Sequence, residues 1–90
     1  MPTLRIPALM KFYVDNQSEL SLNGATVSEA LADLTARYPA IQSHIFDSEG
    51  KVRRHVNLFV NENNIKTLDG LETKVSAEDK IILLPSISGG

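Results

Sequence analysis

The 90-residue sequence has no cysteine and no tryptophan, and only 6% of its residues are aromatic. The lack of cysteine excludes disulfides and thiolate-bound metal sites. Nine basic and eleven acidic residues leave a net charge of −2, without the positive excess that attracts nucleic-acid phosphates. No apolar run approaches the ~20 residues of a membrane span, and the first residues lack the apolar core of a signal peptide. We therefore expect a cytoplasmic protein that binds neither nucleic acid nor membrane.

Alternating polar and apolar residues predict three strands, at residues 3–6, 18–22 and 55–61. A fourth strand is predicted at residues 80–84, which is apolar on both faces. A helix is predicted between the second and third strands. Thr26 and Glu29 have the spacing of a capping box at its start, and Pro39 ends it within a turn of Tyr38. A short helical turn is expected to follow at residues 41–46.

The longer connections carry several apolar side chains. Residues 7–17 are interpreted as a packed loop with some extended structure, containing Leu9, Phe12 and Tyr13. Residues 62–76 are interpreted as a meander that turns at Asp69-Gly70. Its expected core anchors are Ile65, Leu68, Leu71 and Val75.

The order β-β-α-β-(β)-β predicts an α+β roll, in which a mixed sheet of four to five strands packs on one main helix. Parallel pairing of the first and last strands would make it a β-grasp, or ubiquitin-like, fold. We expect the domain to comprise residues 1–85, and residues 86–90 to form a flexible C-terminal tail that ends in Gly-Gly.

The sequence contains no phosphate-binding glycine loop, zinc-protease helix or nucleophile elbow. The chain is therefore not expected to be an enzyme by itself, nor to hold a metal. The tail is the exception to this lack of chemistry: Gly89 and Gly90 have no Cβ, so they fit channels that are closed to other residues. Fully extended, residues 86–90 would reach roughly 17 Å, enough to thread a partner's active site with Ile87, Ser88 and Gly89.

Two groups of residues are candidates for partner binding. Strand parity directs Phe59, Ile82 and Leu84 away from the helix, which predicts an exposed apolar patch beside Pro85 and the tail. The alternative is that a loop or a second copy of the chain covers these side chains. Arg53 and Arg54, with Lys51, form a basic cluster that is either a solvated strand entry or a contact for an acidic patch on a partner.

The sequence resembles the MoaD/ThiS family of ubiquitin-like sulfur carriers over nearly its whole length. The motif that is specific for the family is the segment from Asp79 to Gly90, which contains the last predicted strand and the tail. The Arg53-Arg54 pair and residues 68–71, Leu-Asp-Gly-Leu, favour the branch of carriers that serves cysteine biosynthesis. The sequence departs from the family at Ser86 and Ser88, where small apolar residues are more usual.

The resemblance implies a β-grasp fold and a defined chemistry at Gly90. A ubiquitin-activating-type adenylyltransferase would use ATP-Mg to convert the Gly90 carboxylate into an acyl adenylate, and a sulfur donor would displace AMP to leave a thiocarboxylate. No cofactor would be bound by the chain itself. In the cysteine branch, the implied sulfur acceptor is an activated serine on a pyridoxal-phosphate cysteine synthase.

Other functions remain open. In the molybdopterin branch the chain would be the small subunit of molybdopterin synthase, and the large subunit would hold the pterin acceptor; a thiamine sulfur carrier is a related alternative. A ubiquitin-like modifier would join Gly90 to lysines of other proteins through the same activated intermediate. In a binding-only adaptor the tail would be idle.

Overall fold

The structure is a computed structural model that describes residues 1–85. Residues 86–90 lie outside the described part. The predictions for a flexible tail, for threading by Ile87, Ser88 and Gly89, and for chemistry at Gly90 all fall on this segment.

A five-stranded mixed sheet forms one layer of the molecule. Its strands are β1 (Thr3–Arg5), β2 (Glu19–Ser21), β3 (Val56–Val60), β4 (Asn63–Asn64) and β5 (Lys80–Pro85). They are ordered β2-β1-β5-β3-β4 in the sheet. The first and last strands, β1 and β5, pair in parallel, whereas the other neighbours are antiparallel. The predicted β-grasp arrangement is confirmed.

The helices follow the sheet's second strand. They are α1 (Val27–Arg37) and the short α2 (Gln42–Ile45), joined by a 3-10 turn at Pro39–Ile41. Thr26 Oγ1 accepts a hydrogen bond from the Glu29 N–H at 3.1 Å, and Glu29 Oε1 accepts one from the Ala25 N–H at 2.9 Å. The first bond satisfies a backbone donor that the helix start leaves unpaired, and in the second Glu29 reaches back to the residue before the cap. The predicted pairing of Thr26 and Glu29 at the helix start is confirmed.

One hydrophobic core fills the space between the sheet and α1. The helix contributes one apolar stripe of buried side chains: Val27, Ala30, Leu31 and Leu34. The central strands bury every second residue against it: Val56, Leu58, Val60, Ile81 and Leu83. This alternation confirms the predicted inward parity of β3 and β5.

The segment between β1 and β2 differs from the prediction of a packed, partly extended loop. Residues Ala8–Val14 form a 3-10 helix that starts after Pro7. Met10 and Val14 are buried, and Tyr13 is half-buried and packs against the core, as predicted. Leu9 and Phe12 are 72% and 81% exposed, so their expected packing is wrong.

The meander from residue 62 to residue 76 contains β4 and two 3-10 turns, Ile65–Thr67 and Gly70–Glu72. Ile65 and Val75 are buried and Leu71 packs against the core, as predicted. Leu68 is 42% exposed, so its predicted anchoring is wrong. Leu68 has φ −114° and ψ −134°, and because it has left the helical conformation it does not continue the face that Ile65 buries.

Candidate functional site

The outer face of β3 and β5 carries the predicted apolar patch. Phe59 lies opposite Ile82, and Asn57 lies opposite Leu84, in the antiparallel register of the two strands. Phe59 and Ile82 are half-buried, and Leu84 is 47% exposed. We call Phe59, Ile82 and Leu84 the outer patch. Its position next to the end of β5 matches the sequence-based expectation, and its role in partner binding remains a prediction.

A charged border lies beside the outer patch. Arg5 is in register with Ile82, and its Nε lies 3.8 Å from Glu19 Oε2. Lys80 Nζ lies 3.8 Å from the same carboxylate oxygen. Exposed pairs of this kind contribute little to stability, so their main effect is to place two cations and one carboxylate at the edge of an apolar surface. Such a border orients a partner more than it strengthens the fold.

The described part of β5 ends beside the start of β3. Pro85 is the last described residue, and it pairs with Val56 at the start of β3. Because β5 lies between β1 and β3, neighbouring strands hold it on both sides. The segment that carries Gly89 and Gly90 therefore begins at a defined end of the sheet.

The predicted basic residues lie at this same end but on the helix side. Arg53 Nε donates a hydrogen bond to the Ser43 carbonyl oxygen at 2.7 Å, which ties the guanidinium to the segment around α2. Arg54 is exposed. Asp47 Oδ1 accepts hydrogen bonds from the Lys51 and Glu49 N–H groups, and these bonds, with the charge of Arg53, hold the pKa of Asp47 below its usual range.

Arg53 and Arg54 border a half-open cavity of about 360 Å³. We call it the cationic pocket. Its floor is apolar and consists of Val52, Val56, Leu58, Ile65 and Leu71. Its rim carries four cations, namely Lys51, Arg53, Arg54 and Lys66. Sequence reasoning missed Lys66, because twelve positions separate it from Arg54 and no local pattern joins them.

The described residues contain neither a cluster of metal ligands nor a membrane-spanning helix. Within residues 1–85, no three His, Asp or Glu side chains converge as metal ligands. In the same range, no helix has the length and the apolar content needed to cross a bilayer. Apart from Pro85, the predicted partner-binding residues of the described chain lie in the outer patch and the cationic pocket.

The strand order, the parallel β1–β5 pair and the helix packed across one face define a ubiquitin-like β-grasp protein. The sequence model of the ThiS family matches residues 5–90. The chain therefore belongs to the ThiS family, as the resemblance predicted. It is a family of sulfur carrier proteins, which act as co-substrates of other enzymes rather than as catalysts.

Individual relatives agree with this family. The sulfur carrier protein CysO of Mycobacterium tuberculosis is 32% identical over 90 residues, which cover 98% of this chain and 97% of CysO. A chain in the crystal structure of the Amycolatopsis orientalis BexX/CysO complex superposes with a TM-score of 0.90 at 29% identity, with full coverage of both chains. The small archaeal modifier protein 1 of Methanosarcina acetivorans gives a TM-score of 0.84 at 34% identity, covering 98% of this chain and 94% of that one.

Proposed function

We propose that this chain carries sulfur as a thiocarboxylate on Gly90 and donates it in biosynthesis, with cysteine as the product. The main support is the 32% identity to a sulfur carrier protein, CysO, across 98% of the chain. The family match also runs through Gly89 and Gly90. The proposal requires a free α-carboxylate on Gly90, which intact mass measurement establishes.

The chemistry needs an activating partner, since a carboxylate is a poor electrophile until one oxygen becomes a leaving group. In the proposed first step, the Gly90 carboxylate attacks the α-phosphorus of ATP-Mg held by a ubiquitin-activating-type adenylyltransferase, and pyrophosphate leaves. In the second step, hydrosulfide or another sulfur donor attacks the carbonyl carbon and AMP leaves. The product is a thiocarboxylate, and this chain needs no cofactor of its own.

The fold would supply a rigid body for this chemistry. β5 is the central strand, so the body to which residues 86–90 are attached is held by β1 on one side and β3 on the other. Gly89 and Ser88 would thread a narrow channel of the partner because Gly89 has no Cβ and Ser88 is small, and Ile87 would dock the tail against the partner. Covering the outer patch and Pro85 would add apolar contact at ~25 cal/mol per Å² before association costs.

The same surfaces would serve a second partner. After activation, a pyridoxal-phosphate cysteine synthase would accept Gly90 in its active site. The thiocarboxylate sulfur would attack Cβ of the activated serine, and the activated oxygen group would leave. Water would then cleave the resulting acyl–sulfur bond, which releases cysteine and restores the Gly90 carboxylate. The crystal structure that pairs CysO with BexX in Amycolatopsis orientalis supports the idea that carriers of this shape work within a complex.

Mass spectrometry tests the proposal directly. The chain is incubated with its activating enzyme, ATP-Mg and sulfide, and we expect the intact mass to rise by the difference between sulfur and oxygen. The matched control is the Gly90 deletion variant, which should keep its thermal unfolding temperature and gain no sulfur. An unchanged mass of the full chain, with an enzyme that is competent on another carrier, would contradict the proposal and leave a binding-only adaptor.

Conjugation to proteins is a second candidate function. It is supported by the 34% identity to the small archaeal modifier protein 1 of Methanosarcina acetivorans. A modifier gives lysine-linked ladders on denaturing gels when the activating enzyme, ATP-Mg and cell protein are present, whereas a pure carrier gives none. Mass spectrometry of tryptic peptides would locate Gly90 on the acceptor lysines.

The identity of the acceptor separates the sulfur-carrier alternatives. The thiocarboxylated chain is presented in turn to a cysteine synthase, to the large subunit of molybdopterin synthase and to a thiamine-pathway synthase. A cysteine adduct on Gly90, or release of cysteine and loss of the added sulfur mass after hydrolysis of that adduct, supports the proposed pathway. Sulfur loss with only one of the other two enzymes would reassign the chain to that pathway.

A further inference from the structure

The cationic pocket combines an apolar floor with an unusual concentration of positive charge. The protein as a whole has a net charge of −2 and nine lysine and arginine residues. Four of those nine, Lys51, Arg53, Arg54 and Lys66, line this one cavity, and no aspartate or glutamate lines it. The charge at its rim is therefore opposite in sign to the charge of the whole molecule.

Two of these four cations, Arg54 and Lys66, are available for an external partner. Within residues 1–85, none of them forms an ion pair with a carboxylate at 4 Å or less. Asp47 is the carboxylate whose titration Arg53 influences, and Asp47 already accepts two backbone hydrogen bonds within its own turn. Lys51, Arg54 and Lys66 are exposed. Lys51 also acts on Asp47 through its charge, so Asp47 offsets part of the charge of Arg53 and Lys51, whereas Arg54 and Lys66 remain to attract the negative charge of a partner.

The floor calls for an apolar group in the same ligand. Val56 and Leu58 present their inward sides here, and Ile65 and Leu71 close the cavity from the two 3-10 turns. A volume of about 360 Å³ is at the small end of the range for ligand cavities, and suits one large apolar side chain. Filling it would remove apolar surface from water while the rim contacts acidic groups on either side.

The form of the rim favours a protein segment over a small organic acid. A site built for a small acid holds its polar donors within the cavity, where they fix one orientation of the ligand. Here three of the four cations are exposed side chains, and Arg53 Nε is already bonded to Ser43. An apolar anchor surrounded by exposed charge is the anatomy of a protein–protein contact.

We propose that the cationic pocket docks an acidic segment of a partner protein, with one apolar side chain of that segment in the cavity and its carboxylates at Arg54 and Lys66. The pocket lies on the helix side of β3, whereas the outer patch lies on the opposite face of the sheet. Val56, which pairs with Pro85, lines it. A partner seated there holds the same end of the molecule from which the chain continues, and leaves the outer patch free. This docking is independent of the chemistry at Gly90.

Nuclear magnetic resonance with a defined probe tests the docking. The probe is an acetylated and amidated hexapeptide, Glu-Asp-Leu-Phe-Asp-Glu, added to the isotope-labelled full chain. We expect amide shifts concentrated in residues 50–54, 64–66 and 70–71, with none at Arg5, Glu19 or Ile82. Three further probes are compared with it. In the first, lysines replace the four acidic residues of the peptide; in the second, serines replace its leucine and phenylalanine; the third is hexanoate. Each should bind at least about tenfold more weakly.

Charge reversal supplies the matched variants. The double variant Arg54→Glu/Lys66→Glu should weaken peptide binding at least about tenfold, and Lys74→Glu, an exposed lysine outside the pocket, should change it less than about twofold. If the double variant does not fold, Lys66→Gln is used, with an expected loss of about threefold.

Two kinds of result would overturn the docking proposal. The first is the absence of shifts at millimolar peptide, or shifts on the outer face of the sheet. The second is equal binding of the lysine peptide, the serine peptide or hexanoate, or unchanged peptide binding by a folded Arg54→Glu/Lys66→Glu variant. Equal binding of hexanoate would make the cavity a site for small organic acids.

Discussion

Gly24 lies where the loop after β2 passes the start of α1. A Cβ atom built on this residue would lie 2.5 Å from the backbone nitrogen of Ala30 and 2.8 Å from the carbonyl carbon of Glu29. Both are helix backbone atoms, which cannot rotate away as the end of a flexible side chain would. The close approach lets the loop turn directly into the helix that covers the sheet.

Replacing Gly24 by alanine should therefore destabilise the protein by about 3 kcal/mol, because either the loop or the helix must move. Gly70→Ala is the matched control. Gly70 also has a positive φ, +59°, but a Cβ there would meet nothing within 4 Å. Its loss should be about 1 kcal/mol, from backbone conformation alone. Urea unfolding followed by circular dichroism measures both, and equal losses would show that the close approach does not matter.

Residues differ in how far their surroundings can be predicted from the sequence. The capping bonds of Thr26 and Glu29 are predictable, since both partners lie within one helical turn and the spacing is specific. The contact of Gly24 with Ala30 depends on the path by which the loop meets the helix. The sequence shows only a turn at Asn23-Gly24. The position of Lys66 at the rim of the cationic pocket is likewise set by tertiary packing, so it could not be predicted from local sequence.

At the scale of elements, β5 is apolar on both sides. Leu83 is completely buried, whereas its neighbour Leu84 is 47% exposed in the outer patch. Two adjacent leucines of the same strand therefore have different roles: Leu83 stabilises the core, and Leu84 is available to a partner. Strand alternation made this division predictable, because one face of β5 must cover the core.

Leu84→Asp and Leu83→Asp separate these roles. We expect Leu84→Asp to unfold at nearly the same temperature as the unchanged chain and to weaken binding of the activating enzyme by about tenfold or more, since it puts a charge into an apolar contact. Leu83→Asp should not fold, because it buries an unpaired carboxylate. Calorimetry for stability and titration calorimetry for binding give the two readouts. Unfolding of the Leu84 variant would show that the outer face supports the fold rather than a partner.

The elements that were misjudged have weak local signals. The 3-10 helix at Ala8–Val14 has no capping side chain at Pro7 and buries only Met10 and Val14. Leu9 and Phe12 are apolar, so a prediction based on hydrophobicity alone places them in the core. In the structure both are exposed. The four longer strands and α1 were predictable since each repeats its pattern over several residues, whereas β4, with two residues, is too short to show one.

At the scale of the whole molecule, we expect a modest free energy of unfolding. A chain of this length buries only roughly 60–65% of its unfolded surface, and with no cysteine it has no disulfide to restrict the unfolded state. The buried apolar residues of the described chain all lie between Leu4 and Leu83. The outer patch was predictable because it belongs to two strands. The cationic pocket was not, because three separate segments assemble it.

This distribution of the core predicts how truncation acts. A chain that ends at Pro85 should keep the melting temperature and the denaturant dependence of the full chain, because the buried surface that sets both is intact. The same chain should accept no sulfur. A chain that ends at Asp79 loses β5, which pairs with β1 and β3 and supplies Ile81 and Leu83 to the core, so it should be unfolded. Urea titration of the three chains makes the comparison. A lower stability for the chain ending at Pro85 would mean that residues 86–90 belong to the folded domain, and the division at Pro85 would then be wrong.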